Sequence, residues 1–102
     1  MNKLELTAQV LSESCLRYTP SGLPVLEVVL SHKSEVLEAG EFRYIKLKIL
    51  AVAIGDIATS LSTLLKVGKI FQVCGFIAPI SSNSSELRLH LQQAYENKNQ
   101  NK

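Results

Sequence analysis

The feature that most constrains the fold is a change of hydrophobic period, from two to helical and back to two, within 102 residues. Leu4, Leu6, Ala8 and Val10 alternate with Glu5, Thr7, Gln9 and Leu11, which describes a strand with one buried face. The stretch Tyr18–Pro24 then reverses the chain, because Gly22 tolerates positive φ and the prolines fix φ. A second strand is predicted from Val25 to about His32, with Leu26, Val28 and Leu30 on one face and Glu27, Val29, Ser31 and Lys33 on the other. Ser34 to Glu41 is polar, contains Gly40 and is expected to be a connection. A third strand follows from about Phe42 to Leu50. From Ala53 to Leu65 the apolar residues Ile54, Ile57, Ala58, Leu61, Leu64 and Leu65 fall at helical spacing, with Gly68 as a stop. A fourth strand runs from Ile70 to about Ile77, where Gly75 marks a bulge or tight bend. Beyond an uncharged serine-rich loop, Pro79 to Ser85, a fifth strand directs Leu87, Leu89 and Leu91 inward and Arg88, His90 and Gln92 outward.

Three strands, one short helix and two strands in this length give an all-β fold. The order is that of the OB-fold, a five-stranded Greek-key barrel whose helix lies between strands three and four. One domain over residues 1–95 is expected, followed by a disordered polar tail, 96–102. Hydrophobic residues make up 46% of the chain, enough for a core. Outside the serine loop no stretch free of charge is longer than Ile57–Leu65, which is too short to span a bilayer. The N-terminus lacks the pattern of a secretion signal. Cys15 and Cys74 form no CxxC, so they suggest neither a zinc site nor a redox pair. A soluble intracellular protein with reduced thiols is expected.

Eleven Lys and Arg against nine Asp and Glu leave a net charge of +2. That permits a polyanionic partner without demanding one; what matters is where the charge collects. On the third strand, parity places Ile45, Leu47 and Ile49, with Arg43, on a core-facing side, and Phe42, Tyr44, Lys46 and Lys48 on the other. A strip of two rings and two ammonium groups suits single-stranded nucleic acid, because rings stack on unpaired bases while cations meet phosphates. Lys33 extends the strip if strands two and three are neighbours. Two plainer explanations remain open: edge lysines also prevent aggregation, and the rings could pack under a loop or in a subunit interface. The place of this strand in an OB barrel, on the face where that fold takes ligands, favours the nucleic-acid reading.

No catalytic or metal-binding set stands out. His32 and His90 are isolated from Cys and from acidic clusters at ligand spacing. Ser82, Ser84 and Ser85 lack a nucleophile elbow, and Val52–Gly55 is not followed by the Lys-Ser/Thr of a phosphate loop. A non-enzyme without a cofactor is expected.

Thr19–Pro24 (TPSGLP), Leu30–Ser34 (LSHKS), Glu38–Gly40, Val67–Gly68, Val73–Phe76 (VCGF) and Leu89–His90 together resemble the primosomal replication protein N (PriB) family, over roughly Leu4 to Tyr95. The resemblance implies a bacterial, cytoplasmic OB-fold homodimer related to the single-stranded-DNA-binding proteins. It also implies a role in restarting stalled replication forks, by binding single-stranded DNA and stimulating the primosomal helicase. Outward apolar Leu11 and Val29 fit a buried sheet surface in such a dimer. Arg17 and Lys33 match basic DNA-contacting positions of the family. Lys46 stands where a relative has an aromatic platform, which leaves the stacking to Tyr44. The candidate nucleic-acid-binding set is therefore Arg17, Lys33, Phe42, Arg43, Tyr44, Lys46, Lys48 and Arg88. The loop between strands four and five departs from the family: lysine-rich in relatives, here it reads Ile80–Glu86 (ISSNSSE). Fewer phosphate contacts there would weaken DNA binding. That gap favours the competing expectation, an OB module for protein–protein contact with vestigial DNA affinity.

Overall fold

In a computed structural model of the chain, residues 1–96 are described. They form β1 (Leu4–Glu13), β2 (Arg17–Tyr18), β3 (Pro24–Glu38), β4 (Glu41–Ile54), α1 (Asp56–Ser62), β5 (Ile70–Pro79) and β6 (Leu87–Glu96). Strand neighbours run β1-β5-β6-β4-β3, and a further β1–β3 pairing closes the barrel. β4 and β6 are parallel where they meet, Ala51 opposite Leu89 and Val52 opposite His90. This is the expected OB-fold barrel of five strands with one short helix. β2 is an extra two-residue strand paired to the start of β3. It lies partly in the stretch expected to be a turn, and Gly22 N–H still closes on the Thr19 carbonyl at 2.8 Å. Residues 97–102 of the expected tail lie outside the described residues; Glu96 ends β6 opposite Phe71.

The barrel fills with Ala8, Val10, Leu26, Val28, Leu30, Leu89 and Leu91, which period two assigned inward, and with Ala51, Ala53, Phe71 and Val73, for which no inward face was read. These are buried in one cluster with Ala58, Leu61 and Leu65. Each large side chain so buried contributes about 1.5–3 kcal/mol. Leu87, expected inside, is 54% exposed because it sits at the loop end of β6, past the core. The bulge expected at Gly75 is present: register shifts between Cys74 and Gly75 against β6. Only glycine fits there, since an added Cβ would lie 1.8 Å from the His90 carbonyl oxygen.

The helix is shorter than its apolar spacing suggested. Ile54 belongs to β4, and Gly55, at φ 91°, turns the chain into α1 at Asp56. Leu64 is exposed and only Leu61 and Leu65 reach the core from that end. The larger correction concerns β3 and β4. Ser34–Glu41, expected to be a connection, is strand up to a two-residue turn, Ala39–Gly40. Both turn residues have positive φ, 52° and 81°, as a type I′ hairpin turn requires. β3 and β4 pair in unbroken register from Val25–Ile54 to Glu38–Glu41. β1 leaves β3 at Ser31, so among the described residues the ends beyond Lys33 and Lys46 pair with each other alone. They form a two-stranded arm. The radius of gyration, 14.6 Å, exceeds the roughly 13 Å of a compact domain of this size, as an arm of that kind requires.

Candidate nucleic-acid interface

Strand pleating and register build this surface. The outward face of β4 carries Phe42, Tyr44, Lys46 and Lys48, and opposite them on β3 stand Leu37, Glu35, Lys33 and Ser31. Strands two and three of the sequence reading are thus neighbours, and Lys33 does extend the strip. It lies directly across from Lys46, which puts the two Cβ atoms roughly 5 Å apart. Like charges so placed repel, and Lys48 adds a third cation two residues on. Among the described residues no carboxylate lies within ion-pairing distance of Lys33, Lys46 or Lys48. Phe42 and Tyr44 are 73% and 71% exposed, so their faces are open to a stacking partner.

The remaining candidates are engaged elsewhere. Arg43 lies on the opposite face of the arm, paired with Glu38 at 3.2 Å across the turn. The side expected to be core there is not one: Ile45 is half-buried and Leu47 is 37% exposed. The arm has no opposing layer to cover it, and only Ile49 packs on the core. Arg17, on β2, and Arg88, on β6, both hold the Oε2 atom of Glu27, at 3.1 and 3.3 Å. The structure therefore brings together Lys33, Phe42, Tyr44, Lys46 and Lys48, and separately Arg17 and Arg88. Glu27 was missed by sequence reasoning; its parity with Lys33 was visible, but its partners come from strands far off in sequence.

The arm is tied to the barrel at its root. His32 sits between the Thr7 carbonyl, 2.7 Å from Nδ1, and Ser34 Oγ, 2.9 Å from Nε2. A carbonyl can only accept, so Nδ1–H donates to it, while Nε2 pairs with the serine hydroxyl. His32 is thus a structural bridge from β1 to the arm. His90 stacks on Phe76, with ring centroids 4.8 Å apart and planes 10° from parallel, on the same outward face as Arg88. Among the described residues no group of three or more His, Cys, Asp or Glu could hold a metal ion, and no helix is long and apolar enough to cross a membrane. The loop Ile80–Glu86 is closed by its own hydrogen bonds, Ile80 N–H to the Glu86 carbonyl and Glu86 N–H to Ser84 Oγ, and carries no cation.

A family model described as "Another single-strand binding protein family" matches residues 2–93. Replication restart protein PriB of Bordetella pertussis is 51% identical over 94 residues, covering 92% of this chain and 87% of that protein. The chain belongs to the PriB family. PriB of Nitrosomonas europaea is 33% identical over 90 residues, 88% of this chain and 82% of its own. The solved structure of PriB from Ralstonia solanacearum superimposes with a TM-score of 0.81 at 27% identity, covering 94% of this chain and 97% of that one. The single-stranded DNA binding protein of Thermus aquaticus shares the fold, with a TM-score of 0.79 at 20% identity over 99% of this chain and 52% of that one. The PriB resemblance read in the sequence is thereby established. So is the family's character: replication restart and single-strand binding proteins, which are not enzymes.

Proposed function

We propose that this PriB-family chain binds single-stranded DNA as an accessory protein of the replication-restart primosome, stimulating the primosomal helicase at stalled forks. It acts as a homodimer in the bacterial cytoplasm. The observation that carries the DNA reading is the Lys33–Lys46 pair: two cations in direct register, Lys48 beside them, and none of the three ion-paired with a carboxylate among the described residues. Such a cluster opposes folding and is relieved by a polyanion. Open rings at Phe42 and Tyr44 on the same face select unpaired bases. The family membership supports the restart role, and outward Leu11, 38% exposed, supports a covered sheet surface between two copies.

Fluorescence anisotropy with single-stranded and blunt duplex DNA at two salt concentrations tests the DNA reading; preference for the single strand is expected, and equal binding would contradict it. Light scattering tests the dimer, and helicase unwinding rates with and without the protein test the stimulation. A second reading, an OB module used chiefly for protein contact, is favoured by the cation-free Ile80–Glu86 loop and by the apolar arm tip of Leu37 and Phe42. It is the one left standing if neither DNA form binds.

A further inference from the structure

We propose that Glu27 is a built-in competitor for DNA phosphate, and that Arg17 and Arg88 form with it a gated phosphate subsite. The proposal rests on the single-stranded-DNA reading above. Glu27 points outward from β3 with the parity of Lys33, six residues away, or roughly 20 Å along the strand. The two arginines therefore lie on the face that carries the lysines, at its barrel end. An OB fold tracks about 4–16 nucleotides, enough strand to pass from one group to the other.

The arrangement at Glu27 has three properties of a site held in reserve. Two guanidinium groups share one carboxylate oxygen, so the cluster keeps a net charge of +1 whichever arginine is counted as paired. The Arg88 guanidinium is incompletely used, since its buried Nε has no hydrogen-bond partner. Arg17 is the more open of the two: its side chain is 61% exposed, and it stands on the two-residue strand β2, opposite Val25. A phosphodiester offers guanidinium groups the planar, charge-assisted hydrogen bonds that a carboxylate does. Binding there is an exchange, in which phosphate takes the arginines and Glu27 gives them up. The carboxylate thus weakens DNA contact at the barrel end and leaves the lysine arm dominant. The Glu27 backbone is held independently, its N–H and carbonyl both bonded to Ser14 Oγ, so the side chain can change without loss of that anchor.

The test is Glu27→Gln, which keeps an acceptor but removes the charge. Oligonucleotide affinity at low salt should rise by about three- to fivefold, the scale of a partly exposed ion pair. The slope of log affinity against log salt should steepen by about 0.7, the value for one more phosphate neutralised on a single strand. Glu5→Gln on β1, the same change of charge elsewhere, should move affinity less than twofold. In an Arg17→Ala, Arg88→Ala background the gain from Glu27→Gln should vanish. As a readout free of variants, the Nε–Hε resonances of Arg17 and Arg88 in the native protein should shift on addition of oligo(dT). Unchanged affinity and slope in a folded Glu27→Gln protein, a gain that survives loss of both arginines, or unmoved arginine resonances would each overturn the proposal while leaving the DNA reading intact. Absence of any single-strand binding by the native protein overturns both.

Discussion

β3 and β4 are one continuous hairpin with two halves that obey different rules. In the barrel half, Leu26, Val28 and Leu30 face Ala53, Ala51 and Ile49 under a closed core. In the arm half, Lys33 to Glu38 face Lys46 to Glu41, and neither side has a covering layer. Pairing and register are the same; burial is not. In the barrel, the inward residue types are set by packing. In the arm the backbone ladder and the Arg43–Glu38 pair hold the strands without a core, so the other side chains are free to serve a ligand, even as two opposed lysines. The difference separates stability from function along a single pair of strands, and substitutions in the two halves should divide accordingly.

The largest effect should come from the barrel. Gly75→Ala forces a methyl group against the His90 carbonyl, and chemical denaturation should show a loss on the order of 3 kcal/mol or more, enough to leave a marginal domain largely unfolded. If Gly75→Ala is tolerated, β5 and β6 are not locked by their bulge. Tyr44→Ala, in the arm, should cost binding rather than stability. A stacked base contributes about 1–3 kcal/mol, so oligonucleotide affinity should fall at least several-fold while the salt slope and unfolding midpoint hold. A lowered midpoint would mean that Tyr44 packs against the protein. Smaller still is Ala39→Asn at the arm turn. Ala39 occupies a positive φ that costs a residue with Cβ about 1 kcal/mol, and asparagine is favoured there; stability should rise by a few tenths of a kcal/mol with DNA binding unchanged. Smallest of all is Ser82→Ala, in the loop without cations, which should change neither stability nor affinity. Weakened binding there would move the contact surface to the β5–β6 loop.

The same division explains what was legible in the sequence. Alternation located the five barrel strands and the inward faces of β1, β6 and the barrel half of β3, because burial writes period two into Leu26, Val28, Leu30, Leu89 and Leu91; it did not reach Ala51 and Ala53 at the end of β4 or Phe71 and Val73 on β5. It failed from Ser34 to Glu38, where no core imposes a pattern and Ala39–Gly40 is not one of the common hairpin turn pairs. Helical spacing overran at Ile54 because an outward strand residue happened to fall in phase with α1. Parity did place Phe42, Tyr44, Lys46 and Lys48 on one face, but the opposition of Lys33 to Lys46 depends on register across the arm. The Glu27 cluster was out of reach for the same reason: Arg17, Glu27 and Arg88 meet only when three strands close around the barrel.

The central claim is that the unpaired lysines at the root of the arm, Lys33, Lys46 and Lys48, carry the phosphate contact. The most direct test is the salt dependence of single-stranded DNA affinity for the native protein and for the triple variant Lys33→Ala, Lys46→Ala, Lys48→Ala. At about 0.7 for each phosphate no longer neutralised, the log–log slope should flatten by about 2, with the thermal midpoint within a few degrees of the native value. A triple variant that keeps the native slope would contradict the account, because the charge that meets DNA would then lie outside this lysine cluster.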